Sequence, residues 1–147
     1  MTYSSLSYTK TPTNILVNLR KLVPLKQHTV QEAYNLAALQ AKHFQEMSDS
    51  SSPEFPYQAI NDQPKIFIAY APYLPVDGSA HWNGKTWVIV LNSSEPRLRQ
   101  RFNLAHEFKH ILDHTTKQYL YPGKDALLSG LLAEAVADYF AICLLNS

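Results

Sequence analysis

The chain has 147 residues, of which 46% are hydrophobic and 12% aromatic. That is the length of one ordinary domain with enough apolar material for a core, which excludes disorder over most of the chain. Its net charge is +1, so it lacks both the electrostatic footprint of a direct nucleic-acid binder and a polybasic arm for anionic membranes.

Residues 1–13 are rich in Ser, Thr and Tyr, carry no apolar signal-peptide core and are expected to be flexible. Ile15, Leu16, Leu19, Leu22 and Val23 then suit a short helix, with Asn14 placed as its N-cap and Pro24 ending it. Thr29 followed by Glu32 is a capping-box pattern. Val30, Ala33, Tyr34, Ala37, Ala41, Phe44 and Met47 recur behind it at helical spacing, which predicts a helix over 30–47. The Ser- and Pro-rich stretch 48–56 reads as a linker or surface loop.

The middle of the chain reads as strands. Residues 66–70 are short, apolar and β-prone. Asn83-Gly84 is a two-residue hairpin signal between a polar arm, 79–82, and an apolar arm, 85–91. The apolar arm has the continuous hydrophobicity of a central strand, and the polar arm suits an edge. Ser93, Ser94 and Pro96 mark a helix start, and helical patterning continues to His114. Residues 115–125, with Pro122-Gly123, read as a loop, and a last helix runs from about Leu127 to Leu145. Its apolar run from Leu131 is shorter than a membrane span of ~20 residues and is interrupted by Glu134 and Asp138, so a buried helix is expected.

Residues 106–110 read His-Glu-Phe-Lys-His. On a helix, positions i and i+4 differ by about 40° in azimuth, so the imidazoles of His106 and His110 project together and can share one metal ion. Glu107 is turned ~100° from His106, close enough to serve as base toward a water the ion activates without being a ligand. A helical wheel places Leu98, Phe102, Leu104, Ala105, Phe108, Ile111 and Leu112 on one face. Asn103, His106, Glu107, His110 and His114 fall on the other.

Such a site needs a third ligand. Asp113 and Thr116 stand where a metzincin extension needs glycine and histidine, so that class is excluded. Glu134 and Asp138 lie at i, i+4 on the apolar last helix, where buried carboxylates demand a metal or a charged partner. Gly130, Ala137 and Ala141 flank them and would permit a close helix approach. His114 is an alternative ligand, read more simply as a helix-end histidine favoured by the dipole. Tyr119, Tyr121 and Tyr139 are candidates to stabilise an oxyanion, and His81 and Trp82 to line a substrate groove on the edge strand.

Residues 101–112, Arg-Phe-Asn-Leu-Ala-His-Glu-Phe-Lys-His-Ile-Leu, together with 133–145, Ala-Glu-Ala-Val-Ala-Asp-Tyr-Phe-Ala-Ile-Cys-Leu-Leu, resemble the two signature motifs of the ImmA/IrrE family of zinc metallopeptidases. The preceding hairpin and Ile-Val-Leu-Asn strand match that family's order, and the likeness covers about residues 64–145. It implies a gluzincin-like site: His106, His110 and Glu134 as ligands of Zn2+, Glu107 as base, and Asp138 outside the ligand set, orienting a histidine. It also implies a protein substrate, in this family a helix-turn-helix repressor. Two positions depart from the pattern. Val136 replaces a common second acid, and Lys109 stands where a small residue is usual, so it is expected to snorkel out to solvent.

The expectation is an α+β domain with helices packed around a small antiparallel three-stranded sheet. It spans 14–147, with N-terminal helices and linker over 14–56 and the catalytic core over 64–145. The function expected is zinc endopeptidase, with no direct nucleic-acid or membrane partner. The alternative is a zinc-fold binding module that controls a toxin–antitoxin or anti-repressor partner by contact. Cys143 is the only cysteine, which excludes an internal disulfide and agrees with a cytoplasmic location.

Overall fold

The computed structural model describes residues 14–121 and 125–146; the N-terminal segment expected to be flexible and the Pro122-Gly123 turn lie outside the described residues. Among those described, the element order is α1 (Ile15–Arg20), α2 (Val30–Met47), α3 (Tyr57–Asn61), β1 (Ile66–Ala71), β2 (Gly78–Trp82), β3 (Trp87–Asn92), α4 (Arg97–Asp113), α5 (Lys117–Leu120) and α6 (Ala126–Leu145). The long helices start and stop within a residue of where the sequence places them. Helix α2 opens on the expected capping box: Thr29 Oγ1 accepts from Glu32 N, and Glu32 Oε1 accepts from Thr29 N. Asn14 caps nothing with its side chain, which instead accepts from Asn18 Nδ2. Pro96 sits at the N-cap of α4 with no side-chain cap. Helix α5 lies in the stretch expected to be loop; four residues are too few to show a period.

The sheet has the order β1-β3-β2, with β2 antiparallel to β3 but β1 parallel to it. The expected all-antiparallel sheet is thus mixed. After β1 the chain crosses to the far edge, returns as β2, and folds back to lay β3 between them. This gives the most apolar strand two neighbours and leaves polar β2 on the edge, as its composition suggested. The β2–β3 connection has four residues, not two. Asn83 Oδ1 accepts from the amides of Lys85 and Thr86, a side-chain turn that widens the loop, and Gly84 takes the left-handed φ of 102°.

The helices do not surround this sheet. Helix α4 packs on β2 and β3, on the face that carries Ile89 and Leu91. The opposite face leaves Phe67 and His81 exposed. Behind α4 lie α2 and α6, joined through an aromatic row. Phe44 meets Phe55 and Phe108 edge-on at 5.6 and 5.3 Å, and Phe108 stacks on Phe140 at 6.4 Å. Each such side chain contributes about 1.5–3 kcal/mol by leaving water.

Helix α6 is buried only along its C-terminal half, at Val136, Ala137, Phe140, Ala141 and Leu144. Leu127, Leu128 and Leu131 in its first turns are exposed. It is long and apolar enough to cross a membrane by length and composition, but its inner face packs on α2 and α4.

Lys109 corrects the sequence reading. It does not snorkel; it is completely buried. Its Nζ donates to Asp113 Oδ1 at 2.6 Å and to Gln40 Oε1 on α2 at 2.8 Å, and Tyr121 OH donates to the other Asp113 oxygen at 2.5 Å. Arg20 completes this junction by donating from Nε and a terminal nitrogen to the carbonyls of Leu112 and Ile111. Those carbonyls belong to the last turn of α4, where no i+4 amide remains to bond them. The end of the helix is therefore fixed to α1, α2 and the segment after α5.

Candidate metal centre

Helices α4 and α6 pack against each other, and Ala137 and Ala141 of α6 are buried. Gly130 takes no part: it is exposed, and a Cβ on it would meet nothing. His106 and His110 from α4 face Glu134 from α6, with one ligand atom from each lying within 4.8 Å of the others. His106 Nε2 is 3.1 Å from Glu134 Oε1, His110 Nε2 is 2.8 Å from Glu134 Oε2, and the two Nε2 atoms are 3.1 Å apart. Ligands ~2.0–2.1 Å from a tetrahedral zinc ion are about 3.3 Å from one another, close to these separations.

Proton placement makes the same point. His106 Nδ1 lies 2.8 Å from Asp138 Oδ1, a distance that requires Nδ1–H to donate to the carboxylate. Nε2 is then the His106 nitrogen that faces the carboxylate of Glu134. Burial lowers the pKa of His110, in opposition to the nearby Glu134, so its ring favours the neutral form. Two imidazole nitrogens and a carboxylate that converge at these distances are a donor set suited to zinc.

Glu107 stands beside this cluster. Burial holds its carboxyl above the ordinary range, His106 pulls it down and Glu134 pushes it up. A partly desolvated carboxylate next to a cation site is suited to accept a proton. Over it lies the first residue of β2: a Cβ built on Gly78 would be 3.7 Å from Glu107 Cγ and only 3.2 Å from the Val90 carbonyl. The sequence reading did not single out Gly78. A glycine at the start of a polar edge strand was the available signal.

The structure therefore brings together His106, His110, Glu134, Asp138 and Glu107. It also changes one reason for expecting them. The side chains of Glu134 and Asp138 are 60% and 55% exposed, so what marks them as candidates is convergence, not the cost of burying charge. The other candidates lie elsewhere. His114 is exposed, with its ring 4.9 Å from that of Trp87. Trp82 continues that row, 5.7 Å from Trp87, and His81 points from the opposite face of the strand. Tyr121 is committed to Asp113, and Tyr139 packs edge-on against Tyr34 at 5.2 Å. Asn103, placed by the wheel on the polar face, is buried, with its side-chain amide near the Asp77 carbonyl at 3.5 Å.

Comparison with known families finds a match to the family model of the IrrE N-terminal-like domain, a peptidase family, over residues 61–145. That span contains the sheet, α4 and α6 and every residue of the cluster. No curated protein matches the chain.

Proposed function

Because the chain belongs to the IrrE N-terminal-like peptidase family, we propose that it is a zinc-dependent endopeptidase that hydrolyses a peptide bond in a protein partner, a helix-turn-helix repressor. The observation that carries this reading is the convergence of His106, His110 and Glu134 with Glu107 alongside. His106, His110 and Glu134 would hold the ion. When bound, it supplies Lewis-acid charge that polarises the scissile carbonyl and makes water more acidic. Glu107 takes a proton from the attacking water and returns it to the departing amine. Asp138 keeps the His106 proton on Nδ1, so that Nε2 faces the site. Among the described residues one edge of β2 is free of strand pairing, and its first residue overlies Glu107. An extended peptide added to that edge would pass the base, which supports a polypeptide substrate. The single cysteine is consistent with action in the cytoplasm.

The test is Glu107→Gln, incubated with the helix-turn-helix protein encoded beside it and followed by mass analysis of fragments. The amide is nearly isosteric but cannot accept the proton. The variant is expected to keep its zinc and lose cleavage. Cleavage at the native rate removes Glu107 from the mechanism. If neither form cuts while both bind the partner, the contact-acting reading replaces the enzyme.

A further inference from the structure

A second cleft lies away from the metal centre. It holds about 500 Å³ and lies between the first two turns of α4, the end of β1 and the segment leading into α3. A volume of that size suits a small organic ligand. Arg97 and Arg101 both line it, one helical turn apart on the same face of α4. His106 and His110 follow Arg101 by five and nine residues, which turns them about 140° and 180° away around the helix. The cleft and the metal centre are thus back to back across α4.

Its chemistry is that of an anion site with a ring platform. Neither guanidinium has a carboxylate within salt-bridge distance among the described residues. Glu54, which also lines the cleft, stays apart from both. Arg101 is held in place by its Nε–H, which donates to the Phe55 carbonyl at 2.8 Å, so its terminal nitrogens are oriented without being consumed. The N-terminal turn of α4 has no side-chain cap, so its free amides add positive potential at the same end. Across the cleft the rings of Tyr57 and Tyr70 lie 6.4 Å apart at an interplanar angle of 32°. Partial burial and the Tyr57 phenol hold Tyr70 above its ordinary value and Arg97 pulls it down, which places guanidinium and phenol within each other's field. Leu91 and Leu104 make an apolar floor.

We propose that this cleft binds a nucleoside phosphate, with its phosphate on Arg97 and Arg101, its base against Tyr57 and Tyr70, and a ribose hydroxyl donating to Glu54. Two guanidiniums match phosphate oxygens, and tyrosine faces accept a planar ring whatever its edge pattern. The inference is independent of whether the chain hydrolyses peptides.

The test is calorimetric titration of the full zinc-loaded chain with ADP, adenosine and inorganic phosphate. ADP is expected to bind at least tenfold more tightly than either fragment. Arg97→Ala and Tyr57→Ala are each expected to weaken ADP at least tenfold while zinc content and helical signal stay unchanged. Phosphate can also bind zinc, so His106→Ala serves as the control: it is expected to bind ADP as the parent chain does. No binding of ADP at millimolar concentration overturns the proposal. So does inorganic phosphate binding as tightly as ADP, or affinity that survives Arg97→Ala and Tyr57→Ala, or affinity lost with His106→Ala.

Discussion

Replacing either charge of the Lys109–Asp113 pair strands the other inside the protein. The two side chains are 0% and 5% exposed, so solvent screens neither. Removing one partner of such a pair costs about 3–5 kcal/mol, most of it the desolvation of the charge left behind. Unfolding entropy of ~2.1 cal/mol/K per residue over 147 residues is ~0.3 kcal/mol/K, so Lys109→Met or Asp113→Leu should lower Tm by about 10–16 °C. The double variant removes both charges. It leaves the Gln40 carbonyl and the Tyr121 hydroxyl without partners, at about 1–3 kcal/mol each. At mid-range values it should therefore lose about 4 kcal/mol, against about 8 kcal/mol for the two single losses combined. Urea unfolding of the four proteins measures the cycle. Single losses below ~1 kcal/mol, or losses that simply add, would refute the argument that this pair acts as one buried unit.

Four further outcomes follow from the same geometry. His106→Ala, His110→Ala and Glu134→Ala should each lose most of the zinc, and Asp138→Ala should weaken it by roughly 10–100-fold; a zinc competition titration ranks them. His114→Ala should leave zinc affinity unchanged, because its ring packs on Trp87; zinc loss there with retention in Glu134→Ala would require a different site. Gly78→Val should keep zinc yet abolish cleavage, because even a Cβ at that position crowds Val90, Leu91 and Glu107; cleavage at the native rate would show that β2 does not constrain the base. Burial beside Asp113 raises the Tyr121 phenol far above its ordinary 10.0, so the native state holds this proton more tightly than the unfolded chain. That stability is complete below the unfolded value and is lost as pH rises past it, at up to ~1.4 kcal/mol per pH unit. Urea midpoints at about pH 9 and about pH 11 should fall more steeply for the parent than for Tyr121→Phe, and equal slopes would contradict this assignment.

The cluster was legible in the sequence because its parts obey local rules. His106 and His110 share a helical face at any i, i+4 spacing, and the same is true of Glu134 and Asp138. Thr29 and Glu32 carry the start of α2, and the apolar run 87–91 identifies the central strand, because capping and strand burial are decided within a few residues. The features that were not legible all depend on distant partners. Nothing local tells β1 to pair parallel with β3, since that follows from the route of the chain around the sheet. Nor does the spacing show whether Lys109 reaches water. Gln40 and Tyr121, 69 residues before it and 12 after, allow its ammonium to remain inside. Gly78 becomes part of the site only when β2 is laid over Glu107, and Arg97 and Arg101 become a cleft only when β1 and the segment before α3 face them. The sequence by itself determined which side chains could hold a metal and on which helices. Tertiary packing decided that they meet, because a backbone period sets direction along one element while the distance between elements depends on everything packed behind them.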